Sequence, residues 1–215
     1  MRVRRDAVAV VFAILLLAAC TPKETVVVGL GGKTLRVVNR DATRIDEPDG
    51  IRLSGASGDG VAWVEGTDFR LGTIELDVRG REEMSQLYVG VAFHRLDDET
   101  YEVVHLRPFN FRVADPVRRQ HAVQYVSLPR FDFERLRADF PEEFENPVHR
   151  SLEPTDWVRL RVVVASSRIR IQVGPVNEVT LDVRKLGQLD GGEVGLWVGN
   201  GSGGDFANLV ITPAK

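Results

Sequence analysis

Chemically versatile side chains are concentrated in one stretch of the chain, between residues 94 and 125. Imidazole, carboxylate, amide, guanidinium and phenol groups occur there on segments that are otherwise β-branched or aromatic. Such groups can form several hydrogen bonds with a polar ligand, and their clustering is typical of functional sites. The candidate ligand-binding residues are His94, Arg95, Glu102, His105, Arg107, Asn110, His121, Gln124 and Tyr125.

The strand pattern divides these candidates between two faces. In the stretch from Thr100 to Arg112, period-two alternation places Glu102 on one face and both His105 and Arg107 on the other. The whole set can line one cleft only if a β-bulge intervenes, and Pro108 could supply it because proline cannot donate to a sheet. Each residue taken singly could instead be an ordinary solvent-facing strand residue.

Other chemical motifs are incomplete. Glu75 and Asp77 resemble the start of the carboxylate strand of family-16 glucanases, but Arg79 stands where the acid/base residue would follow. The glycine-rich run 199–205 lacks the lysine and the following helix of a phosphate-binding loop. The acidic run 97–99 offers oxygen ligands for calcium, although acidic hairpin tips are common. The sequence therefore predicts neither a metal nor a cofactor, and it reveals no nucleophile–base arrangement.

Short β-branched segments, about a dozen of them, dominate the chain and must position these residues. Most alternate apolar with polar residues, as do residues 73–79 and the hairpin formed by residues 158–172. This pattern predicts an all-β fold with two layers of strands, a β-sandwich. The one break is Pro129 to Pro147, where four phenylalanines indicate an ordered insertion with a helical turn around Phe133 to Phe140.

The N-terminus has the pattern of an exported protein. Three arginines precede an apolar run at residues 7–18. This run is shorter than a membrane-spanning helix, which needs about 20 residues. The sequence that ends this run, Leu-Ala-Ala-Cys, resembles a bacterial lipobox, in which Cys20 would be diacylated and become the new N-terminus. Thr21 follows instead of Asp, which by analogy with Gram-negative sorting favours the outer membrane.

These signals predict three regions. Residues 1–19 would be the signal peptide, residues 20–33 a tether with the first strand, and residues 34–215 the β-sandwich domain. The net charge of −3, without a block of Lys or Arg, argues against a nucleic-acid partner. Because Cys20 is the only cysteine, the domain has no disulfide framework. We expect a monomer that is held at the membrane by its N-terminal lipid.

The second half of the chain carries a family resemblance. The stretches "DWVRLRVVVASSRIRIQVG", "VTLDV" and "GEVGLWVGNGSGGDFANLVI" resemble the closing strands of concanavalin A-like lectin/glucanase jelly rolls, most closely the 3-keto-disaccharide hydrolase type. The positions that carry it are Trp157, Gly192, Gly195, Leu196, Phe206 and Asn208. The hairpin "GVAFHR" and "TYEVVHL" is also similar. The chain departs from this family at Val104, where glutamine is more usual, and in the insertion 129–147.

The resemblance implies a jelly-roll sandwich whose concave sheet binds sugars. Sugars need carboxylates and amides for their hydroxyls and an aromatic ring for their apolar face, so we expect Glu102 to bind hydroxyls near Arg107 and His121. We also expect the core to contain Trp157, Leu196 and Phe206. The predicted function is a carbohydrate-binding domain of an envelope lipoprotein. A glycoside hydrolase of the 3-keto-disaccharide hydrolase type and a non-catalytic envelope interaction module remain open alternatives.

Overall fold

The computed structural model describes residues 24–80, 87–149, 151–175 and 178–215. The predicted signal peptide and Cys20 lie outside these ranges, so cleavage and lipidation stay predictions. Within the described ranges, no helix is long and apolar enough to cross a membrane.

Two antiparallel sheets form a sandwich, as the alternating sequence predicts. In spatial order, the eight-stranded sheet contains β1 (Glu24–Gly29), β2 (Lys33–Val38), β5 (Gly60–Val64), β14 (Glu193–Val198), β7 (Val89–Arg95), β8 (Glu102–Leu106), β9 (Val123–Ser127) and β10 (Glu145–Asn146). The seven-stranded sheet contains β13 (Leu181–Arg184), β12 (Arg168–Val173), β11 (Val158–Val164), β6 (Gly72–Arg79), β15 (Gly204–Pro213), β4 (Gly50–Leu53) and β3 (Ala42–Ile45). Strands β14 and β15 each insert between strands from the first half of the chain, as in a jelly roll.

The core lies between the sheets and follows from period-two alternation. In β6, Ile74 and Leu76 are fully buried, whereas Glu75 between them points outwards. The predicted core residues Leu196 and Phe206 are buried as expected. The prediction for Trp157 is wrong because this residue precedes β11 and is only partly buried. Its ring packs under the guanidinium of a neighbouring arginine, 4.6 Å from the ring centroid, instead of between the sheets.

The insertion 129–147 is ordered and contains the predicted helical segment. Helix α2 (Phe133–Asp139) begins where the Asp132 carboxylate accepts a hydrogen bond from the backbone N–H of Arg135, at 2.8 Å. Leu136 is buried on one side of the helix. Two shorter elements precede it, a 3-10 turn (Pro108–Asn110) and helix α1 (Pro116–Gln120).

Cross-strand pairing shows which side chains share a face of the eight-stranded sheet. A Cβ on Gly204 of β15 would lie 2.7 Å from Val89 of β7, so Val89 points between the sheets. Its neighbour Gly90 pairs with His105 and therefore belongs to the opposite face. We call this second face, which points away from the seven-stranded sheet, the outer face. The candidate site lies on it.

Candidate functional site

A row of cross-strand neighbours forms the floor of the site on the outer face. Gln124, His105, Gly90, Trp197 and Val61 are successive partners across five strands. Because Gly90 has no side chain, the rings of His105 and Trp197 approach across it to 5.4 Å between centroids. The sequence thus places one small residue where two large rings have to meet.

The adjacent row repeats this arrangement. Gly195 lies between strands β5 and β7, and a Cβ there would lie 2.6 Å from the ring of Trp63. Trp63 is consequently able to lie flat on the sheet, where Tyr101 meets it edge-on at 5.4 Å and Arg95 covers it at 5.4 Å. The outer face therefore carries a buried aromatic layer rather than an ordinary solvated surface.

Two adjoining pockets lie on this floor, and together we call them the groove. The deep pocket has a volume of about 320 Å³ and the wide pocket about 610 Å³, both in the usual range for ligand sites. The deep pocket is lined by Asp59, Tyr88, His105, Val126, Leu128, Asp132, Phe133, Trp197, Gly199 and Asn200. The wide pocket is lined by Val38, Asn39, Asp59, Val61, Trp63, Asp98, Glu99, Tyr101, Leu128, Pro129 and Asp132. The insertion supplies one wall of the groove through Phe133, which is 39% exposed.

Three polar atoms on the floor are buried without a hydrogen-bond partner: Nδ1 of His105, Nε1 of Trp197 and Nε2 of Gln124. Their side chains are 3%, 5% and 1% exposed, respectively. The indole N–H of Trp197 is close enough to Asp59 to favour the charged carboxylate, but it makes no hydrogen bond of normal geometry. A buried donor without an acceptor is unfavourable, so the floor is incomplete as a purely structural surface.

Burial perturbs the ionisable groups of the groove. It raises the pKa of the Asp59 carboxyl, although Arg40 partly opposes this effect. Burial also raises the pKa of the Tyr101 hydroxyl, and the negative charge of Asp59 adds to the rise. The pKa of His105 lies well below 6.5, first because of burial and then because of the cations Arg107 and Arg137. His105 is therefore neutral near pH 7, with one ring nitrogen able to donate and the other able to accept.

The loops around the groove are held together by Arg40. This side chain is 3% exposed, and its guanidinium donates to backbone carbonyls of Asn39, Gly58, Gly199 and Ser202 at 2.6–3.3 Å. Three separate loops, which carry the groove residues Asn39, Asp59 and Asn200, thus share one fixed centre. Burial lowers the pKa of Arg40.

The sequence-predicted candidates are separated by the sheet. Those on the outer face or at its margin are Arg95, His105, Arg107, Asn110, His121 and Gln124. Of these, only His105 lines a pocket directly. Arg107 stacks on the ring of Tyr88 at 4.7 Å and donates to Gln124 at 3.4 Å, and burial lowers its pKa to about 10. At the margin, Asn110 donates to the carbonyl of His121, and Nδ1 of His121 lies 2.7 Å from Glu145.

The other three candidates, His94, Glu102 and Tyr125, form a buried network between the sheets. The Glu102 carboxylate is 2.5 Å from Nδ1 of His94 and accepts a hydrogen bond from the Tyr125 hydroxyl at 2.6 Å. Nε2 of His94 is 2.7 Å from the carbonyl of Arg70. His94 and Glu102 are fully buried. We expected Glu102 to bind a sugar in the groove, and this expectation is wrong. Glu102 and His105 point to opposite faces of β8, so Glu102 points into the core.

A β-bulge does occur, but at His94. This residue has φ = 54°, and the pairing of β14 with β7 shifts register between Glu193 and Gly195. The bulge turns His94 inwards towards Glu102. Pro108 instead begins the 3-10 turn after β8, so the expectation that it supplies a bulge is wrong.

Several groove residues were not among the candidates: Asp59, Trp63, Tyr88, Phe133, Trp197 and Asn200. They come from four separate parts of the chain, and only the strand order brings them together. One signal was present in the sequence, namely the tryptophans at 63 and 197 on strands that also contain Gly or Ala.

The carboxylates of β6 lie away from the groove. Glu75 and Asp77 lie on the outer side of the seven-stranded sheet, where Arg159 approaches both and Asn208 donates to Asp77 at 2.7 Å. No group of three or more His, Cys, Asp or Glu side chains in the described part of the chain could hold a metal ion.

Comparison with solved structures places this fold among jelly rolls. Its fold is similar to carbohydrate-binding module CBM66 from Bacillus subtilis, with TM-score 0.54, 13% identity and coverage of 80% of this chain and 90% of that one. It is similar to the β-glucanase of Bacillus licheniformis, with TM-score 0.53, 10% identity and coverage of 81% and 82%. It also resembles the Ca²⁺/Man-bound VIP36 exoplasmic/lumenal domain, with TM-score 0.54, 12% identity and coverage of 82% and 83%.

The chain therefore has a two-sheet jelly-roll fold like that of these three solved structures. No protein-family profile matches the sequence, and no curated protein is significantly similar to it. At 10–13% identity the likeness extends to the fold alone, so function has to be argued from the groove.

Proposed function

We propose that the groove binds a carbohydrate and that this chain is a carbohydrate-binding jelly-roll domain. The observation that carries the proposal is the pair of buried polar atoms without a partner on residues that line the deep pocket, Nδ1 of His105 and Nε1 of Trp197. Sugar hydroxyls can accept from such donors, and each hydrogen bond formed would remove a burial penalty of about 1–3 kcal/mol.

The wall of the deep pocket supplies the second requirement of a sugar site. Phe133 exposes 39% of its surface there, and Tyr88 lies on the same pocket. An aromatic face next to directional polar groups suits a ring with one apolar face and hydroxyls at its edge. Similar folds in a carbohydrate-binding module and in a mannose-bound domain support the proposal.

A glycan array, followed by calorimetric titration of the best ligand, tests this proposal on the chain that begins at Thr21. Phe133→Ala should weaken binding roughly tenfold, since loss of a stacking aromatic costs about 1.4 kcal/mol of binding free energy. Val117→Ala is the matched control, because Val117 is 66% exposed on α1 and lines neither pocket. Failure to bind any glycan would reject the proposal and favour an envelope interaction module.

Glycoside hydrolysis is the second candidate, and Asp59 favours it. Asp59 lines both pockets together with Asp132, and burial raises its pKa, as a general acid requires. Asp59→Asn keeps the shape of this side chain but removes the transferable proton. The enzyme hypothesis predicts retained glycan binding with loss of turnover of the bound glycan. Binding without turnover in the wild-type protein would leave the lectin function alone.

We also propose that the domain is anchored to the bacterial cell envelope, at the outer membrane, through a diacylated Cys20. The support is the sequence around residues 1–20, and two acyl chains are sufficient for stable anchoring. Mass spectrometry of the membrane fraction should find the lipid on Cys20, and Cys20→Ala should release the protein from that fraction. An unmodified soluble chain that retains residues 1–19 would contradict the proposal.

A further inference from the structure

The buried side-chain atoms that lack a hydrogen-bond partner are all nitrogens, and they lie on the outer face or at its margin. Among the residues that the structure describes, there are five such atoms, and none is an oxygen. Three of them belong to N–H groups of arginine, glutamine and tryptophan, which can only donate. This region therefore lacks acceptors and not donors. The five atoms are Nδ1 of His105, Nε of Arg107, Nδ1 of His121, Nε2 of Gln124 and Nε1 of Trp197.

Four of these nitrogens follow one another along the sheet. Gln124 is the cross-strand partner of His105, and both side chains are buried. Arg107 comes two positions after His105, at the end of β8, and donates to Oε1 of Gln124 at 3.4 Å. The ring of His105 lines the deep pocket beside Trp197. The row therefore leads from the floor of the deep pocket to a guanidinium.

Arg107 is a partly buried cation without a carboxylate partner. No Asp or Glu of the described ranges lies within ion-pair distance of its guanidinium, and Glu145, which acts on it from further away, already contacts Arg137 at 3.1 Å and His121 at 2.7 Å. Burial lowers the pKa of Arg107, and the charge of Arg137 contributes to this effect. Because buried charges are normally paired, this guanidinium lacks the anion that usually accompanies one.

The two ends of the deep pocket differ in charge. Its carboxylates, Asp59 and Asp132, also line the wide pocket and so lie where the two pockets adjoin. Phe133 lines the deep pocket and not the wide one. Two guanidiniums lie over its ring, Arg107 at 5.8 Å and Arg137 at 5.4 Å from the centroid. The end formed by Phe133 is therefore positive, and the end towards the wide pocket is negative.

We propose that the groove binds an acidic glycan, and that the carboxylate of a uronic acid residue is held by Arg107 and Gln124. This inference rests on the proposed carbohydrate-binding function and names its ligand class. A carboxylate has only acceptor oxygens and can bind two N–H groups at once, so it matches a region of unpartnered donors. The sugar ring would lie against Phe133, and its hydroxyls would face Asp59, since a hydroxyl can donate to a carboxylate.

Three tetramers of uronic acids, with the gluco, galacto and manno configurations, test the inference, each beside its carboxyl-reduced counterpart. The members of a pair differ only at carbon 6, which carries a carboxylate in one and a hydroxyl in the other. Calorimetry at neutral pH measures their binding to the chain from Thr21 onwards, which contains the whole described sandwich. In at least one pair, the uronate should bind roughly tenfold more tightly, as one charge-assisted hydrogen bond provides.

Two variants locate the bound carboxylate, and circular dichroism checks that each is folded. Arg107→Gln removes the guanidinium and should abolish the preference for the uronate. Gln124→Glu keeps the size of the side chain and places a carboxylate beside Arg107, so it should abolish the preference by neutralising that cation within the protein. Arg118→Gln is the control, because Arg118 is exposed on helix α1 and lines neither pocket. It removes the same charge and should leave the preference unchanged.

Each outcome bears on one or both proposals. Equal binding within every pair, or a preference that survives in Arg107→Gln or in Gln124→Glu, overturns the acidic-glycan inference and leaves carbohydrate binding standing. An equal loss of preference in Arg118→Gln would indicate general attraction to positive charge and has the same consequence. So does failure of every uronate while a neutral or sulfated glycan of the array binds. Failure of every glycan rejects the proposed function and this inference together.

Discussion

Strand β8 contributes to two polar clusters that lie on opposite faces of the same sheet. Between the sheets, Glu102 is fully buried, and both of its carboxylate oxygens have partners, His94 and Tyr125. On the outer face, His105 is nearly as buried, yet its Nδ1 has no partner, and neither does Nε1 of the adjacent Trp197. Both clusters are buried, and they differ in whether their hydrogen bonds are complete.

This difference separates a structural role from a ligand-binding role better than residue type or burial does. A closed network has no capacity left for a ligand, and removal of one member leaves the others unpaired in the core. An open set costs stability in the free protein and can regain it only when a ligand supplies acceptors. The following predictions test this distinction, from the largest expected effect to the smallest.

The closed network should be the most sensitive to mutation. Glu102→Ala removes the acceptor of both His94 and Tyr125, so we expect the free energy of unfolding to fall by about 3–5 kcal/mol. Urea unfolding of the two proteins measures this difference. Glu75→Ala is the control, because its carboxylate lies on the surface and should change stability by less than about 0.5 kcal/mol. A loss from Glu102→Ala as small as that of the control would mean that the network contributes little.

The second prediction tests whether the loss of stability on mutation depends on how complete a residue's hydrogen bonds are, and not on which face of the sheet it lies. Arg40 lies beside the groove but has a complete set of carbonyl acceptors. Arg40→Met should lower the unfolding free energy by about 2–3 kcal/mol, because several buried carbonyls lose a charged donor. It should also weaken glycan binding, since the loops of Asp59 and Asn200 lose their common anchor. Unchanged stability would show that solvent replaces this anchor easily.

The unpartnered groups of His105 and Trp197 should matter for ligand binding and not for stability. His105→Phe exchanges one planar ring for another between Tyr88 and Trp197 and removes the unpaired Nδ1. We expect the unfolding free energy to change by less than about 1 kcal/mol, or to rise, while glycan affinity falls roughly tenfold. Chemical unfolding and calorimetric titration of the same preparation measure both quantities. A large loss of stability would place His105 with the structural network.

The smallest effect concerns pH. In the folded protein the pKa of His105 lies well below 6.5, because of burial and of Arg107 and Arg137, whereas the unfolded chain retains a value near 6.5. As the pH falls below about 6.5, the unfolded chain binds a proton that the folded protein does not, so stability decreases. The contribution reaches at most about 1.4 kcal/mol per pH unit. His105→Phe should remove this part of the slope, and identical slopes for both proteins would contradict the assignment.

The sequence by itself determined the layers of the fold and the face of each strand residue. Alternation in residues such as Ile74, Glu75 and Leu76 specified the two sheets, because the side-chain period of a strand is two. The same rule separated Glu102 from His105, as the structure shows. The phenylalanines of the insertion indicated an ordered segment, and helix α2 lies there. These features depend on neighbours in the chain, so local pattern was sufficient.

Only the tertiary structure decided which face carries the groove and which residues meet on it. The bulge at His94, a positive-φ position that no sequence signal marked, turned that ring into the core. The groove joins Asp59, Phe133 and Trp197, which lie far apart in the chain and become neighbours through the order of the strands and the fold of the insertion over them. Long-range pairing and closed hydrogen-bond networks depend on three-dimensional position, which a period-two pattern does not encode.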